Sequence, residues 1–356
     1  MIRYWIRNAV QEDLAGLRRL ACMLNTLNLP DEPAALLDVL MRSQASFDGE
    51  IEEPFEREYV FILEDRLTKQ IIGTSQVIAQ HGTRESPHLF FEVSVLERYS
   101  NTIDRHFKHQ VLRLGSNYDG PTEIGGLVVD PDYRHAKERL GRQLSMVRFL
   151  FMAMYRENFR DRVLAELLPP LQNNKQSLLW ESLGRWFTGL DYHEADHISR
   201  TNKEFITGLF PSGQIYTCLF SEEVQKVIGT VGERSMPAQK LLESIGFSYK
   251  NRVDPFDGGP HFEADFDDIE PICASMDIPV QETRSPLSKP EKWFLASFER
   301  PFATQASFIA AVIEGQIDPR RHVLLCQHED LFELGIKDGQ IVRAYPWTKR
   351  SAAYGA

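Results

Sequence analysis

Apolar and polar positions first alternate over "YWIRNA" at 4–9, which predicts a strand. Helical spacing follows in "EDLAGLRRLACML" at 12–24, with Asp13 near its start, where a carboxylate suits the helix dipole. A turn, "NLPDEP", leads into a second helical run, "EPAALLDVLMRSQASF". "EYVFILED" and "QIIGTSQVIAQ" read as strands joined by the polar turn "DRLTK", hence an antiparallel pair. "PHLFFEVSVLERYS" and "HFKHQVLRL" are two further strand-like stretches. "TEIGGLVVD" is the strongest strand of this half, and a charged loop and a long amphipathic helix follow it directly.

The pattern continues with a strand, "RDRVLAELL" at 160–168, an interruption, "PPLQNNKQ", and a short helix, "SLLWESLGRWF". "EADHISRTNKEFITGLF" predicts helix. "PAQKLLESIGFSYKNRV" at 237–253 reads as helix, stop at Gly246, then strand. Residues 280–303, rich in Pro, Ser and charge, predict a linker. Beyond it, "SFIAAVIEG", "HVLLCQ" and "QIVRAYP" predict short strands around the turn "GIKDGQ".

Composition narrows the classes. The 356 residues suffice for two or three domains, and 42% hydrophobic with 26% charged residues is ordinary for a soluble globular chain. A net charge of −11 argues against a general nucleic-acid binder. Cys22, Cys218, Cys273 and Cys326 lie far apart, so they read as isolated reduced thiols of a cytoplasmic protein. No segment has a signal-peptide core or the apolar length of a membrane span, and no histidine pair shows metal-ligand spacing. The expectation is therefore a cytoplasmic protein with no metal, no membrane and no nucleic-acid partner.

The chemistry gathers at "IGGLVVD" and the loop "RHAKERLGRQL". A strand running into a basic loop and a helix start places backbone N–H groups and positive charge where an anion can sit. Leu127, Val128 and Val129 on the strand, with Leu140, Gly141 and Arg142 at the helix start, are the candidate binding residues. Lys137 and Arg139 add charge. Glu123, at the start of the strand, is the candidate catalytic carboxylate, in a place where many N-acyltransferases, whose fold this unit resembles, hold one; through a water it can take a proton from an attacking amine. A strand-end carboxylate facing solvent is the competing account of it. Glu233, Tyr216, and the His193–Asp196–His197 group in "YHEADH" are weaker candidates, each read better as a surface or packing residue.

The element order and this loop resemble the acyl-CoA N-acyltransferase fold. There acyl-CoA docks beside a splayed central strand, with its pyrophosphate on a Q/R-x-x-G-x-G/A loop. The chain further resembles the arginine N-succinyltransferase family. The matching segments are "VFILED", "EIGGLVVDPDYR", "RFLFMAMYRENFRDRVLAEL", "WESLGRWFTGLDYHEAD", "FITGLFPSGQIY" and "FDGGPHFEADFD", with a weaker Leu-Pro turn at 27–32. "DLFELGIKDGQIVRA" resembles the signature of small double-psi-type barrels.

The resemblance implies a mixed α/β (α+β), splayed sheet with helices on both faces, plus a small C-terminal β-barrel-like module. It implies an acyltransferase lobe over 1–200, a second, partial lobe or an extension completing the first over 201–285, and the β module over 286–356. The implied co-substrate is succinyl-CoA or another acyl-CoA, with no permanently bound cofactor. The implied amine is arginine or a similar amino acid, in arginine catabolism. Homo- or hetero-oligomers are compatible with it, and Leu127 takes the place of the family's CoA contact. Three positions depart from the pattern. Arg139 stands where the loop's first glycine would be, "LLPP" lacks the arginine expected near Leu168, and Gly232 in "IGTVGE" stands at the catalytic histidine's position. The alternatives are a family member with another amine substrate, and an inactive or regulatory one that binds CoA or pairs with an active homologue.

Overall fold

The computed structural model describes residues 2–23, 29–30, 32–84, 86–170, 176–199, 202–298 and 308–347. Parts of the Leu-Pro turn at 27–32 and of the interruption at 169–176 lie outside these residues. In chain order the strands are β1 (Tyr4–Asn8), β2 (Glu58–Asp65), β3 (Gln70–Ile78), β4 (His88–Ser100), β5 (Arg105–Asn117), β6 (Thr122–Val129), β7 (Arg162–Glu166), β8 (Ile215–Tyr216), β9 (Ser248–Val253), β10 (Pro260–Asp265), β11 (Met276–Thr283), β12 (Glu291–Phe298), β13 (Phe308–Asp318), β14 (Val323–Gln327) and β15 (Ile341–Pro346). Three helices matter most: α1 (Leu14–Met23), α2 (Pro33–Asp48) and α3 (Leu140–Met154). The chain divides into two units, the first Met1–Ala79, Ile124–Phe159 and Asp267–Ala356, the second Gln80–Glu123 and Arg160–Phe266.

In the first unit β2 is the central strand. Its run "EYVFILED" is buried on both faces, which is why it reads as continuously apolar instead of alternating. Val60 and Ile62 pack with Leu17 of α1 and with Leu36 and Leu40 of α2. The other face carries Tyr59 and Phe61 against Phe151 of α3, with ring centroids 4.8 and 5.4 Å apart. Helices therefore cover both faces of this sheet, as expected. Pro33 opens α2, and Gly49 closes it in the left-handed conformation.

The C-terminal strands close on themselves. The order β12-β15-β11-β14-β13 with an additional β12–β13 pairing makes a five-stranded barrel. Trp293, Leu295, Ile313, Leu324 and Val342 fill it. One of its strands lies in the stretch that composition predicts as a linker, 280–303, and another ends there. β11 reaches Thr283, and β12 carries the buried run Trp293–Phe294–Leu295–Ala296. Pro, Ser and charge are concentrated in the connection between them and hide the short apolar run in a composition average. Residues 299–303 lie outside the described set. Within the same unit β13 pairs with β1 (Ile6↔Ala310), and the Arg343 guanidinium donates to the Ala153 carbonyl at the end of α3.

In the second unit β7 pairs with β10, β10 with β9, β9 with β4, β4 with β5 and β5 with β8. A core of Phe91, Trp180, Phe210 and Phe256 packs beside it, with the rings of Trp180 and Phe256 stacked at 4.9 Å. The helix predicted over "EADHISRTNKEFITGLF" is two helices, Tyr192–Ser199 and Glu204–Leu209. "SLLWESLGRWF" is likewise two, broken at Leu183, whose backbone leaves the helical region. Gly246 stops its helix at φ 114°, as the sequence indicates. No helix among the described residues is long and apolar enough to cross a membrane.

Candidate functional site

β6 begins in the second unit, where its parallel register with β7 covers Thr122↔Val163 and Glu123↔Leu164. Glu123 is 2% exposed, and its carboxylate pairs with His81 Nδ1. The backbone fixes His81 beside it: the His81 N–H donates to the Pro121 carbonyl, and the Gly120 N–H donates to the His81 carbonyl. His81 Nε2 lies 3.5 Å from the Lys203 ammonium. With Nδ1–H held by a buried carboxylate, Nε2 is the acceptor nitrogen of this imidazole, and it is turned toward the Lys203 ammonium.

Next to this pair lies a second group. The His88 ring is 4.7 Å from that of His81 and stacks on His261 at 5.4 Å. His261 stands directly opposite Glu166 in the β7–β10 register. His88 Nε2 and His261 Nε2 lie 3.6 and 3.3 Å from one Glu166 oxygen. Burial, and then the Glu123 charge, push the Glu166 carboxyl up to about 7. Burial lowers His261 to about 4 and holds His88 well below the ordinary imidazole range. Asp254 is raised to about 6 by burial and by Glu166, and Asp257 is raised by burial and by Asp254.

The rest of β6 and α3 belong to the first unit. Gly126 sits in β6 at φ 56°, where an added Cβ would meet the Gln76 side chain at 2.9 Å. A side chain could take that conformation in a strand only with strain, so glycine suits this position. Leu127 is half-buried, while Val128 and Val129 are buried. Arg139 caps α3 at φ 56°, ψ 54°, and its carbonyl accepts from the Arg142 and Gln143 N–H groups. That conformation costs a non-glycine residue about 1 kcal/mol. It is the conformation glycine would take without strain. The Leu140 and Gly141 N–H groups have no acceptor among the described residues and stand at the positive end of the α3 dipole. The Arg142 guanidinium lies over Trp347, 4.4 Å from the ring centroid.

Nearly two turns beyond Arg142 along α3, Arg148 is 3% exposed. Its guanidinium donates to the Ser145 carbonyl and hydroxyl, and at 3.4 Å to the Gly125 carbonyl. No carboxylate pairs with it among the described residues, and burial lowers it to about 9.

A family model described as the arginine N-succinyltransferase beta subunit matches residues 4–271. The chain belongs to the arginine N-succinyltransferase family. Arginine N-succinyltransferases of Shigella dysenteriae and Citrobacter koseri are each 35% identical over 280 residues, covering 78% of this chain and 80% of theirs. The structure of arginine/ornithine succinyltransferase subunit AI from Pseudomonas aeruginosa superposes with a TM-score of 0.80 at 27% identity, covering 98% of this chain and 100% of that one. The mixed α/β acyltransferase fold with its small barrel is thus that of this family.

Within the succinyltransferase frame, Gly232 has a structural reason. Its N–H donates to the Leu168 carbonyl at 2.9 Å, and an added Cβ would lie 2.7 Å from the Pro169 carbonyl oxygen. Its φ is not in the left-handed region, so close approach, and not backbone freedom, requires glycine. The weaker candidates scatter: His193 and His197 are exposed on their helix, and Tyr216 lies at β8 beside His109. Sequence spacing misses His81, His88, Glu166 and His261 because strand pairing, not proximity in sequence, assembles them. Arg148 leaves a readable signal, a lone charge inside the apolar run "MVRFLFMAM".

Proposed function

We propose that this chain transfers a succinyl group from succinyl-CoA to the α-amino group of arginine. Family membership and the names of its relatives support the reaction and the amine. The observation that carries the donor is Arg148. A buried cation without a counter-ion is unfavourable, and the free carboxylate of a succinyl group would relieve it with two parallel hydrogen bonds. An acetyl group offers no such partner. The Leu140 and Gly141 N–H groups at the start of α3 receive the CoA pyrophosphate, and the backbone of 127–129 runs beside the pantetheine arm.

The thioester is already activated, so the chain has to orient the amine and remove its proton. His81 Nε2 accepts that proton as general base. Glu123 holds the tautomer and steadies the imidazolium that forms, which makes it a positioning residue. The amine nitrogen bonds to the thioester carbon, the C–S bond breaks, and the CoA thiolate leaves to be protonated. This dyad supplies acid–base work at a site where the Gly232 position offers none.

Donor selectivity tests the reading. Arg148→Met should lower kcat/KM for succinyl-CoA by about 10- to 200-fold, the range for losing a hydrogen bond to a charged group. Transfer from acetyl-CoA should change little, and Arg148→Lys should fall between. Equal losses with both donors, in a variant with wild-type circular dichroism, would remove Arg148 from donor recognition.

A further inference from the structure

We propose that His88, Glu166 and His261 form a binding site for a divalent transition-metal ion of the zinc class, with one coordination position left open. The three residues come from three strands, β4, β7 and β10, so no sequence motif announces them. Each offers one ligand atom, and these atoms all lie within 4.8 Å of one another. Two of the edges are 3.3 and 3.6 Å, both from an imidazole Nε2 to the same Glu166 oxygen. A tetrahedral zinc ion with bonds of about 2.0–2.2 Å has ligand edges of roughly 3.3–3.5 Å.

Burial supplies the second, independent observation. His88 is 1% exposed and His261 is fully buried. All four of their ring nitrogens lack a hydrogen-bond partner. An unsatisfied buried polar group is unfavourable, so two such rings stacked in the interior are a poor packing choice. A cation bound through the two Nε2 atoms accounts for the rings and for their convergence on one carboxylate.

The Glu166 side chain keeps 27% of its surface, so of the three ligands it is the one that solvent reaches. Two imidazoles and one carboxylate with an open position is a donor set that zinc accepts.

The test uses the full chain, stripped with a chelator and desalted, and does not depend on acyl transfer. Zn²⁺ titrated against a chromophoric chelator should bind at one equivalent per chain and raise Tm. Co²⁺ in its place should give the intense visible bands of a tetrahedral site. His261→Ala and Glu166→Gln should each weaken Zn²⁺ binding by at least about 100-fold and abolish the Tm rise. Failure of the wild-type chain to bind Zn²⁺ in that titration would overturn the proposal, as would equal binding by both variants. Should either variant fail to fold, the wild-type Co²⁺ spectrum decides: weak octahedral bands, like those of the free ion, contradict the site.

Discussion

The Gly232 N–H donates to the Leu168 carbonyl at 2.9 Å, and any Cβ at Gly232 would stand 2.7 Å from the Pro169 carbonyl oxygen. Backbone cannot yield as a flexible side chain can. Gly232→His therefore does not simply refill a vacant catalytic position. We expect it to destabilise the chain by about 1–3 kcal/mol, a fall of several degrees in Tm, with no gain in thiol release from succinyl-CoA. Gly232→Ala should show most of the same loss. A histidine variant that is faster and equally stable would mean the loop can move aside and that a side chain at 232 reaches the reacting groups.

The pairing of Glu123 with His81 gives a second expectation. His81→Ala should lower kcat by about 10²–10⁴-fold, the usual range for general acid–base assistance. Glu123→Gln, which keeps the shape but removes the charge, should lower it too. Because the two act as one unit, the double variant should be little worse than His81→Ala alone. Additive losses would separate the two residues, and an unaffected His81→Ala would return the proton to another group.

Arg142 tests the helix start. A glutamate there favours the α3 dipole but repels an anionic pyrophosphate. Arg142→Glu also loses the stacking of the guanidinium on Trp347. Calorimetry should show weaker CoA binding while Tm changes by only a few degrees. Unchanged CoA affinity would move the pyrophosphate away from the Leu140 and Gly141 N–H groups.

Local periodicity made much of the fold legible. β2 is readable because a continuously apolar run marks a strand buried on both faces, and the Gly246 stop because only one residue type suits φ 114° cheaply. β12 escaped because its buried residues 293–296 are too few to outweigh the polar residues around them. The donor loop was visible as strand, basic turn and helix, but the left-handed backbone at Gly126 in β6 was not, since a glycine pair is equally at home in a plain turn. Glu123 could be proposed from its place at the start of β6. Its partner His81 could not, because the contact depends on the turn at 120–121. His88, Glu166 and His261 depend on strand register alone, which a period-2 pattern leaves undetermined.

The central claim is succinyl transfer to arginine, and one measurement reaches it directly. The purified wild-type chain is incubated with succinyl-CoA and arginine, free thiol is followed with time, and the product is weighed by mass spectrometry. The account predicts thiol release that depends on arginine, one equivalent of succinylated arginine per thiol, and fragment ions that place the acyl group on the α-nitrogen. CoA binding without transfer to arginine or to any other amine would contradict it and would leave a family member that holds the donor without using it.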